Sequence, residues 1–403
     1  YLDDVFSRFV GVECGSVDQY TVDASAFNTN EAGEYIIKIK CGDLETTYTV
    51  VVVKAVGIKV YDEFAVKTYL VGGKLNTSGI YVYAVMTDGS EILIEDYTLT
   101  NNFNGSAAGV YQVTISYGNF TPYTYDVTVV EKKADIVDNK VEIVVDQSHT
   151  GTDGTFIDGK PVFKTMTAMI DYLNACNYSG SVLKIVYVRA GEYVEKITFG
   201  SNLKNVILIG DSKETTILSY YVCGDHKQPN GSIWGTQGSA SVSIKGEGFQ
   251  AMNITFKNTY DYFNSTHSNK QAVAAYIEAD KVVFYNCAFY GVQDTLYAKW
   301  GRQYYKDCYI EGSVDFIFGN NAPAVFENCT IHTVSRNDSK NNGYITAHKG
   351  KHNGNDKGEF GYVFLNCKLT ADENVPAGTV ALARPWDADA TVAYLYCEMG
   401  AHI

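Results

Sequence analysis

The sequence has little proline, no basic surplus and no long apolar run. It contains 6 Pro among 403 residues, and its 32 Lys and Arg are outnumbered by 46 Asp and Glu. A nucleic-acid partner is therefore not expected, because phosphate binding needs a basic surplus. No apolar run approaches the roughly 18 residues needed to cross a bilayer, so no membrane span is expected in this chain.

Signatures of serine hydrolases and zinc proteins are also missing. No GxSxG segment accompanies the histidines, so a serine-esterase mechanism is not expected. The nine cysteines include no CxxC pair, and no Cys/His cluster has zinc spacing, so no metal site is predicted. The chain opens without an initiator Met or a signal peptide, and we expect it to be a processed or trimmed piece.

What the N-terminal part does contain is a pair of similar segments, residues 1–54 and 55–132. Each ends in AG-x-Y and two alternating strands, EAGEYIIKIKCGDLETTYTVVVV and SAAGVYQVTISYGNFTPYTYDVTVV. The pattern predicts β-sandwich modules that resemble bacterial Ig-like modules of cell-surface proteins, the first incomplete because its opening strands are missing. No clustered His, Asp or Ser accompanies them, so we expect a spacer or adhesive role.

The residue pattern changes after a polar linker at residues 131–140. Residues 163–176 have apolar spacing near 3.6 and predict a helix, after which short strands alternate with Gly, Asn and Asp. We therefore place a further domain at residues 139–403.

The strands of this domain repeat. Segments such as VVFYNCAFYG, YYKDCYIEG and AVFENCTIHT place Asn286, Asp307 and Asn328 at intervals of 21 residues, and Asn366 and Tyr396 follow after 38 and 30. A period near 20 with short strands predicts a solenoid, specifically a right-handed parallel β-helix. The whole chain is thus predicted to be all-β.

Cysteines recur at one position of the repeat. They follow the five anchor residues directly, at Cys287, Cys308, Cys329, Cys367 and Cys397. One interior column of small apolar side chains favours buried packing residues over disulfides.

Two aspartates keep the same register. Asp294 lies eight residues after Asn286, and Asp315 lies eight residues after Asp307. Because neighbouring parallel strands are about 4.8 Å apart, these carboxylates should lie side by side. Two such groups do not both ionise cheaply, which indicates an acid–base pair. An exposed aspartate ladder or a calcium site remains an alternative from spacing alone.

Five segments then resemble, in order, the motifs of pectin methylesterases. They are GEYVE (191–195), QAVAAYIEA (271–279), GVQDTLYA (291–298), GSVDFIFGN (312–320) and ARPW (383–386). The resemblance covers about residues 140–403. It implies a secreted or cell-surface bacterial enzyme, a monomer without a metal or an organic cofactor, that acts on methyl-esterified pectin.

The resemblance also implies roles for individual residues. Asp315 would be the nucleophile at the C6 methyl ester, and Asp294 would protonate the departing methanol and then activate water. Gln293 and Gln271 would donate hydrogen bonds to the oxyanion. Arg384 would orient Asp315 and keep it ionised.

Further residues are expected to contact the substrate. Trp386 would offer a flat face to a galacturonate ring, Tyr297 would border the cleft, and Thr236 matches a threonine that contacts substrate in the family. Phe316 and Phe318 alternate, so one should pack inside while the other faces the cleft. We assign Phe318 to the substrate site, although the pattern alone leaves either residue open.

The sequence departs from the family at several points. Ala383 replaces a glycine, His348 replaces a glutamine, and the chain stops before the family's final segment, so the domain is expected to be truncated at its C-terminus. Two alternatives stay open: a β-helical glycoside hydrolase or lyase acting on the same polymer, and a non-catalytic carbohydrate-binding β-helix.

Overall fold

The computed structural model describes residues 20–350 and 360–403. By internal contacts the chain divides into two compact units, the second of which includes Phe64–Gly79, Asn101–Val113 and Tyr125–Ile403. The first includes Ile80–Thr100, Thr114–Thr124 and the segment that ends at Glu63. Within the described residues, no helix combines the length and apolar character needed to cross a membrane.

The N-terminal strands form three small sheets. They are β1 (Tyr20–Asp23), β2 (Gly33–Cys41), β3 (Leu44–Val52), β4 (Ala55–Tyr61), β5 (Thr68–Leu70), β6 (Tyr81–Met86), β7 (Glu91–Ile94), β8 (Thr98–Asn101), β9 (Gly109–Ser116) and β10 (Tyr123–Val130). The sheet orders are β1-β2-β3, β4-β6-β7 and β5-β10-β9-β8. The predicted hairpin at the end of each segment is present as β2–β3 and β9–β10. The expected loss of opening strands concerns residues 1–19, which lie outside the described residues.

The described residues that follow form a series of short strands with two helices. The first coils contain β11 (Lys140–Val145), β12 (Thr155–Ile157), β13 (Lys160–Phe163), α1 (Met166–Cys176), β14 (Leu183–Val188), β15 (Gly191–Val194), β16 (Ile197–Phe199), β17 (Val206–Gly210) and β18 (Thr216–Tyr220). Next come α2 (Gly235–Gly238), β19 (Val242–Ile244), β20 (Gln250–Met252), β21 (Thr255–Asn258), β22 (Ala275–Glu278), β23 (Val282–Tyr285) and β24 (Ala288–Tyr290). They continue with β25 (Leu296–Trp300), β26 (Gln303–Lys306), β27 (Tyr309–Gly312), β28 (Val314–Gly319), β29 (Ala324–Glu327) and β30 (Thr330–Thr333). The last are β31 (Gly343–His348), β32 (Tyr362–Leu365), β33 (Lys368–Ala371), β34 (Val380–Pro385), β35 (Val392–Leu395) and β36 (Glu398–Met399).

Every third strand belongs to the same sheet. From β14 onward the three sheets run β14-β17-β20-β23-β26-β29-β32-β35, β15-β18-β21-β24-β27-β30-β33-β36 and β16-β19-β22-β25-β28-β31-β34. Each of these pairings is parallel, so one coil of three strands stacks on the next. The prediction of a parallel β-helix is confirmed.

At the turn that joins the first two of these sheets, one residue in each coil has a left-handed backbone conformation. Its φ lies between 49° and 59°, which Asn and Asp tolerate better than other residues with a Cβ. These residues are Asn253, Asn286, Asp307, Asn328, Asn366 and Tyr396. We call this set the anchor corner. The 21-residue spacing found in the sequence is the distance along the chain between the residues of this corner on successive coils.

The cysteine column follows the anchor corner inside the coils. Ala288, Tyr309 and Thr330 are paired across successive coils, so the cysteines that precede them are stacked. All five thiols are unpaired, and only Cys397 is less than fully buried. The prediction of packing residues instead of disulfides is confirmed.

Aromatic rings form a second interior column. The rings of Phe284, Tyr305, Phe326, Phe364 and Tyr394 stack with successive centroid distances of 5.0, 4.6, 4.6 and 4.5 Å. Each pair lies within about 11° of parallel. Stacked aromatic pairs stabilise neighbouring coils beyond the area that they bury.

Helix α1 packs its apolar face, including Met169 and Tyr172, into the same core as the coils. It begins three residues after the predicted start because Phe163 ends β13 and Thr165 is the N-cap, whose side chain accepts the Ala168 N–H at 3.1 Å. The Glu195 carboxylate accepts two further N–H groups of the first turn.

Candidate active site

The two aspartates of the repeat lie at equivalent positions of adjacent coils. Gln293 and Val314 form a parallel bridge, and the Asp294 N–H donates to the Val314 carbonyl at 3.0 Å. Asp294 and Asp315 both have left-handed backbones, with φ of 64° and 51°. The pair therefore stands one coil apart, as the spacing predicts, in a backbone region that is sparsely populated and common at functional sites.

Arg384 forms a fork around the Asp315 carboxylate. Its Nε donates to Oδ1 at 2.6 Å, and its Nη2 donates to Oδ2. The guanidinium reaches Asp315 from β34, two coils beyond β28, because β31 pairs with both strands. Since Asp315 is only 5% exposed, the fork holds the carboxylate in one orientation.

Asp294 has a different environment. It is 7% exposed, and burial, followed by the negative charge of Asp315, raises its pKa well above the usual carboxyl range; Arg384 offsets only part of this rise. The protonated form of Asp294 is thus favoured beside Asp315.

Two glutamines lie beside the aspartates on successive coils. The Ala272 N–H donates to the Gln293 carbonyl at 3.1 Å, which places Gln271 one coil before Gln293. The Gln271 side-chain oxygen is buried and has no hydrogen-bond partner among the described residues. The Gly224 N–H fixes the backbone by donating to the Gln271 carbonyl at 2.9 Å.

Aromatic side chains form one wall of the cleft. Tyr297 and Phe318 stack with centroids 4.1 Å apart, and Trp386, 48% exposed, lies 6.1 Å from Phe318. Phe316 is fully buried among the coil interior, so Phe318 is the member of the alternating pair that faces the cleft. The Tyr297 hydroxyl donates to Asn320 Oδ1 at 3.0 Å.

All nine predicted site residues line one cleft of about 440 Å³, a size within the range of ligand sites. They are Thr236, Gln271, Gln293, Asp294, Tyr297, Asp315, Phe318, Arg384 and Trp386. Two lining residues were not predicted as site residues, Gln237 and Ala347. Alternation along β31 could have indicated Ala347, which pairs with Arg384.

Two departures from the family pattern have simple structural outcomes. Ala383 lies in β34 and pairs with Thr346, without the positive φ that would require glycine. His348 is fully buried outside the cleft lining, and its Nδ1 accepts the Thr391 N–H at 3.0 Å. Burial lowers the pKa of His348 to about 4, so the ring is neutral.

One cluster was missed by the sequence analysis. Cys223, His226 and His267 lie together outside the cleft lining, with candidate ligand atoms within 4.8 Å of one another. Cys223 and His226 are separated by two residues, and His267 is 41 residues further along the chain than His226. Only the coil stacking brings the third residue near the first two.

A parallel β-helix with a buried carboxyl pair in a lateral cleft defines this molecule as a β-helical enzyme. The family profile described as Pectinesterase matches residues 155–403, and the profile for a bacterial Ig-like domain (group 3) matches residues 65–129. The chain belongs to the pectinesterase family, and its catalytic domain is that of a carboxylic ester hydrolase.

Individual relatives agree with this assignment. Pectinesterase 31 of Arabidopsis thaliana is 38% identical over 250 residues, which cover 61% of this chain and 73% of the relative. Putative pectinesterase 14 of the same plant is 37% identical over 210 residues, and the match covers 52% of this chain and 59% of that relative.

Solved structures give the same result. A pectin methylesterase in complex with a hexasaccharide has a TM-score of 0.57 at 29% identity, with 65% of this chain and 79% of that chain covered. The pectin methylesterase of Erwinia chrysanthemi has a TM-score of 0.55 at 29% identity, with the same shares covered.

Proposed function

We propose that this chain hydrolyses the C6 methyl esters of galacturonate residues in pectin, with Asp315 as the nucleophile. The observation that carries the proposal is the asymmetry of the aspartate pair. Asp315 is held by the Arg384 fork, whereas Asp294, one coil away, is buried with a raised pKa. One group is suited to attack and the other to donate a proton.

In the first half of the reaction, an Asp315 oxygen attacks the ester carbonyl. The amide N–H groups of Gln271 and Gln293 stabilise the negative charge on the tetrahedral oxygen. Asp294 gives its proton to the methoxy oxygen as the C–O bond breaks, so methanol leaves. An acyl-enzyme anhydride remains between Asp315 and the galacturonate carbonyl.

In the second half, water replaces methanol. Asp294, now ionised, takes a proton from water as the water oxygen attacks the acyl carbon. The bond to Asp315 breaks, which releases the galacturonate carboxylic acid and restores both aspartates to their initial protonation states. The raised pKa of Asp294 favours this return of the proton.

The cleft wall supports a sugar substrate. Trp386 is half exposed beside Phe318 and offers an apolar face of the kind that stacks on sugar rings. Lys349 lies with its Nζ 5.8 Å from the Trp386 ring centroid, where its charge attracts the carboxylates of partly de-esterified pectin. A similar methylesterase is solved with a bound hexasaccharide.

The setting of the enzyme is also part of the proposal. Pectin is extracellular, and the Ig-like segment matches a bacterial family, so we propose a secreted or cell-surface bacterial enzyme. The Ig-like modules act as spacers, and the catalytic domain works as a monomer.

Methanol release from highly esterified pectin tests the proposal. The expected result is methanol formation without new reducing ends and without unsaturated sugar ends. A β-helical glycoside hydrolase would form reducing ends, and a lyase would form unsaturated ends. Chain cleavage without methanol would overturn the proposed function, and pectin binding without any reaction would favour the non-catalytic alternative.

A further inference from the structure

The cluster of Cys223, His226 and His267 joins two loops. Cys223 and His226 follow β18, whereas His267 lies in the segment between β21 and β22. The Cys223 sulfur is 3.1 Å from His226 Nδ1 and 3.5 Å from His267 Nδ1. The cysteine is fully buried, and both histidines are partly buried.

These distances are near those of a metal site. A tetrahedral zinc ion has Zn–S bonds of about 2.3 Å and Zn–N bonds of about 2.0 Å, which place sulfur and nitrogen about 3.5 Å apart. The Cys223–His267 distance of 3.5 Å equals this value, and the Cys223–His226 distance of 3.1 Å is shorter, so zinc binding moves His226 Nδ1 slightly away from the sulfur.

The Nδ1 atoms of both histidines converge on the Cys223 sulfur. His267 Nδ1 faces the Cys223 sulfur, the Tyr260 hydroxyl at 3.2 Å and the Ser265 hydroxyl at 3.1 Å, yet one ring nitrogen has only one proton or one lone pair to offer. His226 Nδ1 faces the same sulfur while it accepts the Cys223 N–H at 3.0 Å. A cation between the three atoms accounts for this convergence.

The surroundings keep the two loops in place for binding. Asp225 accepts the N–H groups of Ser268 and Asn269 at 2.9 and 2.7 Å, and these bonds link the same two loops beside the cluster.

We propose that Cys223, His226 and His267 bind a zinc ion, with water as the fourth ligand. Zinc binds the thiolate, so the proton of the Cys223 thiol goes to solvent as the Zn–S bond forms. Three protein ligands on two loops make the ion a staple between segments that hydrogen bonds and ring contacts also join.

The staple acts on the cleft through the backbone. The Gly224 N–H donates to the Gln271 carbonyl, and the Gly235 N–H donates to the Gly224 carbonyl, both at 2.9 Å. Gly235 begins α2, which carries Thr236. The ion therefore positions Gln271 and Thr236 without touching the reacting ester, a role that depends on the proposed function, whereas zinc binding itself does not.

Metal content is the first test. The full chain, purified, loaded with zinc sulfate and dialysed, is expected to retain about one zinc per chain by plasma mass spectrometry. Cys223→Ser and His267→Asn should each lose most of this zinc. Cys397→Ser, in the cysteine column, is the matched control and should retain it. Native protein that retains no zinc would overturn the site.

Cobalt identifies the ligands. With Co²⁺ in place of zinc, the native chain and Cys397→Ser should show a near-ultraviolet thiolate-to-cobalt absorption band, which Cys223→Ser should lack. A band that persists unchanged in Cys223→Ser would overturn the assignment. If Cys223→Ser does not fold by circular dichroism, His267→Asn decides by the intensity of visible cobalt absorption, which must fall for the proposal to stand. These readouts involve no pectin, so they fail independently of the proposed function.

Discussion

Two corners of the β-helix share a left-handed backbone conformation but differ in what their side chains contact. At the anchor corner, left-handed Asn and Asp residues recur on successive coils, and Asn286 Nδ2 donates to Asn253 Oδ1 at 2.8 Å. At the catalytic corner, Asp294 and Asp315 have the same left-handed backbone on adjacent coils. These two residues line the cleft.

The difference lies in what surrounds the side chain. Asp307 and Asp315 are eight residues apart on the same coil, both aspartates and both left-handed, with φ of 56° and 51°. Only Asp315 is bonded by a guanidinium and lies beside a second buried carboxyl. The left-handed backbone therefore places aspartates at equivalent positions of successive coils. The groups around each carboxyl determine whether that carboxyl is suited to a chemical role.

The strongest contrast is expected between two identical substitutions. Asp315→Asn removes the proposed nucleophile, and kcat for methanol release should fall by about 10⁴-fold or more. Asp307→Asn, a residue type already present at Asn286 and Asn328, should leave kcat unchanged. Initial rates of methanol release from pectin, with circular dichroism to confirm folding, make the comparison. Equal losses in both variants would show that the two corners do not differ.

Asp294→Asn should have the next largest effect. Loss of the proton donor is expected to reduce kcat by about 10²-fold to 10⁴-fold. In the native enzyme, kcat should fall as the pH rises through the raised pKa of Asp294, because the ionised form does not protonate methanol. A pH–rate profile of the native enzyme without this alkaline decline would contradict the assignment.

Stability should change in the opposite direction to activity in the same variant. A buried carboxyl with a raised pKa favours folding most below its unfolded pKa, and this contribution is lost as the pH rises through the folded pKa. Asp294→Asn keeps the side chain neutral at every pH, so its free energy of unfolding should exceed that of the native chain at neutral pH and above. Urea titrations at acidic and neutral pH measure the difference.

Arg384→Lys should reduce kcat by a smaller factor than the aspartate variants, but by more than the same substitution away from the cleft. Lysine does not reproduce the two-point fork on Asp315, and loss of one charge-assisted hydrogen bond of about 1.5–3 kcal/mol lowers kcat by about 10-fold to 160-fold. Arg302 makes a similar fork with Asp280 away from the cleft. Arg302→Lys is therefore the matched control, and an equal loss of kcat in that variant would refute a special role for Arg384.

The smallest effect concerns the anchor corner alone. Tyr396 has φ of 54° and is 87% exposed, an unfavourable conformation for a bulky residue that packs so little. Tyr396→Asn should raise the free energy of unfolding by about 1 kcal/mol. Tyr285→Asn, at an exposed strand tyrosine with ordinary φ, should give no gain in the same urea titration. A loss of stability in Tyr396→Asn would contradict the argument that asparagine suits the left-handed conformation at this position better than tyrosine.

Much of this arrangement could be predicted from the sequence because the coils have a constant length in the middle of the domain. Intervals of 21 residues locate the anchors, and the same intervals place Asp294 beside Asp315. Arg384 could not be found in this way, since coils of unequal length separate it from Asp315, and only the family motif indicated it. Alternation could not decide between Phe316 and Phe318, because it does not specify which face is inward.

The histidine cluster shows a further limit of sequence patterns. His267 is brought to Cys223 by two loops of irregular length, and no periodic rule relates their positions. Metal ligands that come from one short segment are visible in a sequence, whereas ligands shared between loops become visible only after the coils are stacked.

The column of stacked rings passes through the coils that carry the two aspartates. Phe284, Tyr305 and Phe326 lie face to face on the coils that carry the two aspartates and on the next one, with centroid distances of 5.0 and 4.6 Å. These distances are close to the spacing of about 4.8 Å between neighbouring strands, so ring stacking and backbone pairing favour the same spacing of coils. That spacing also separates the proposed acid from the proposed nucleophile, and Tyr305→Leu would remove one stacked ring on these coils without changing a residue that lines the cleft.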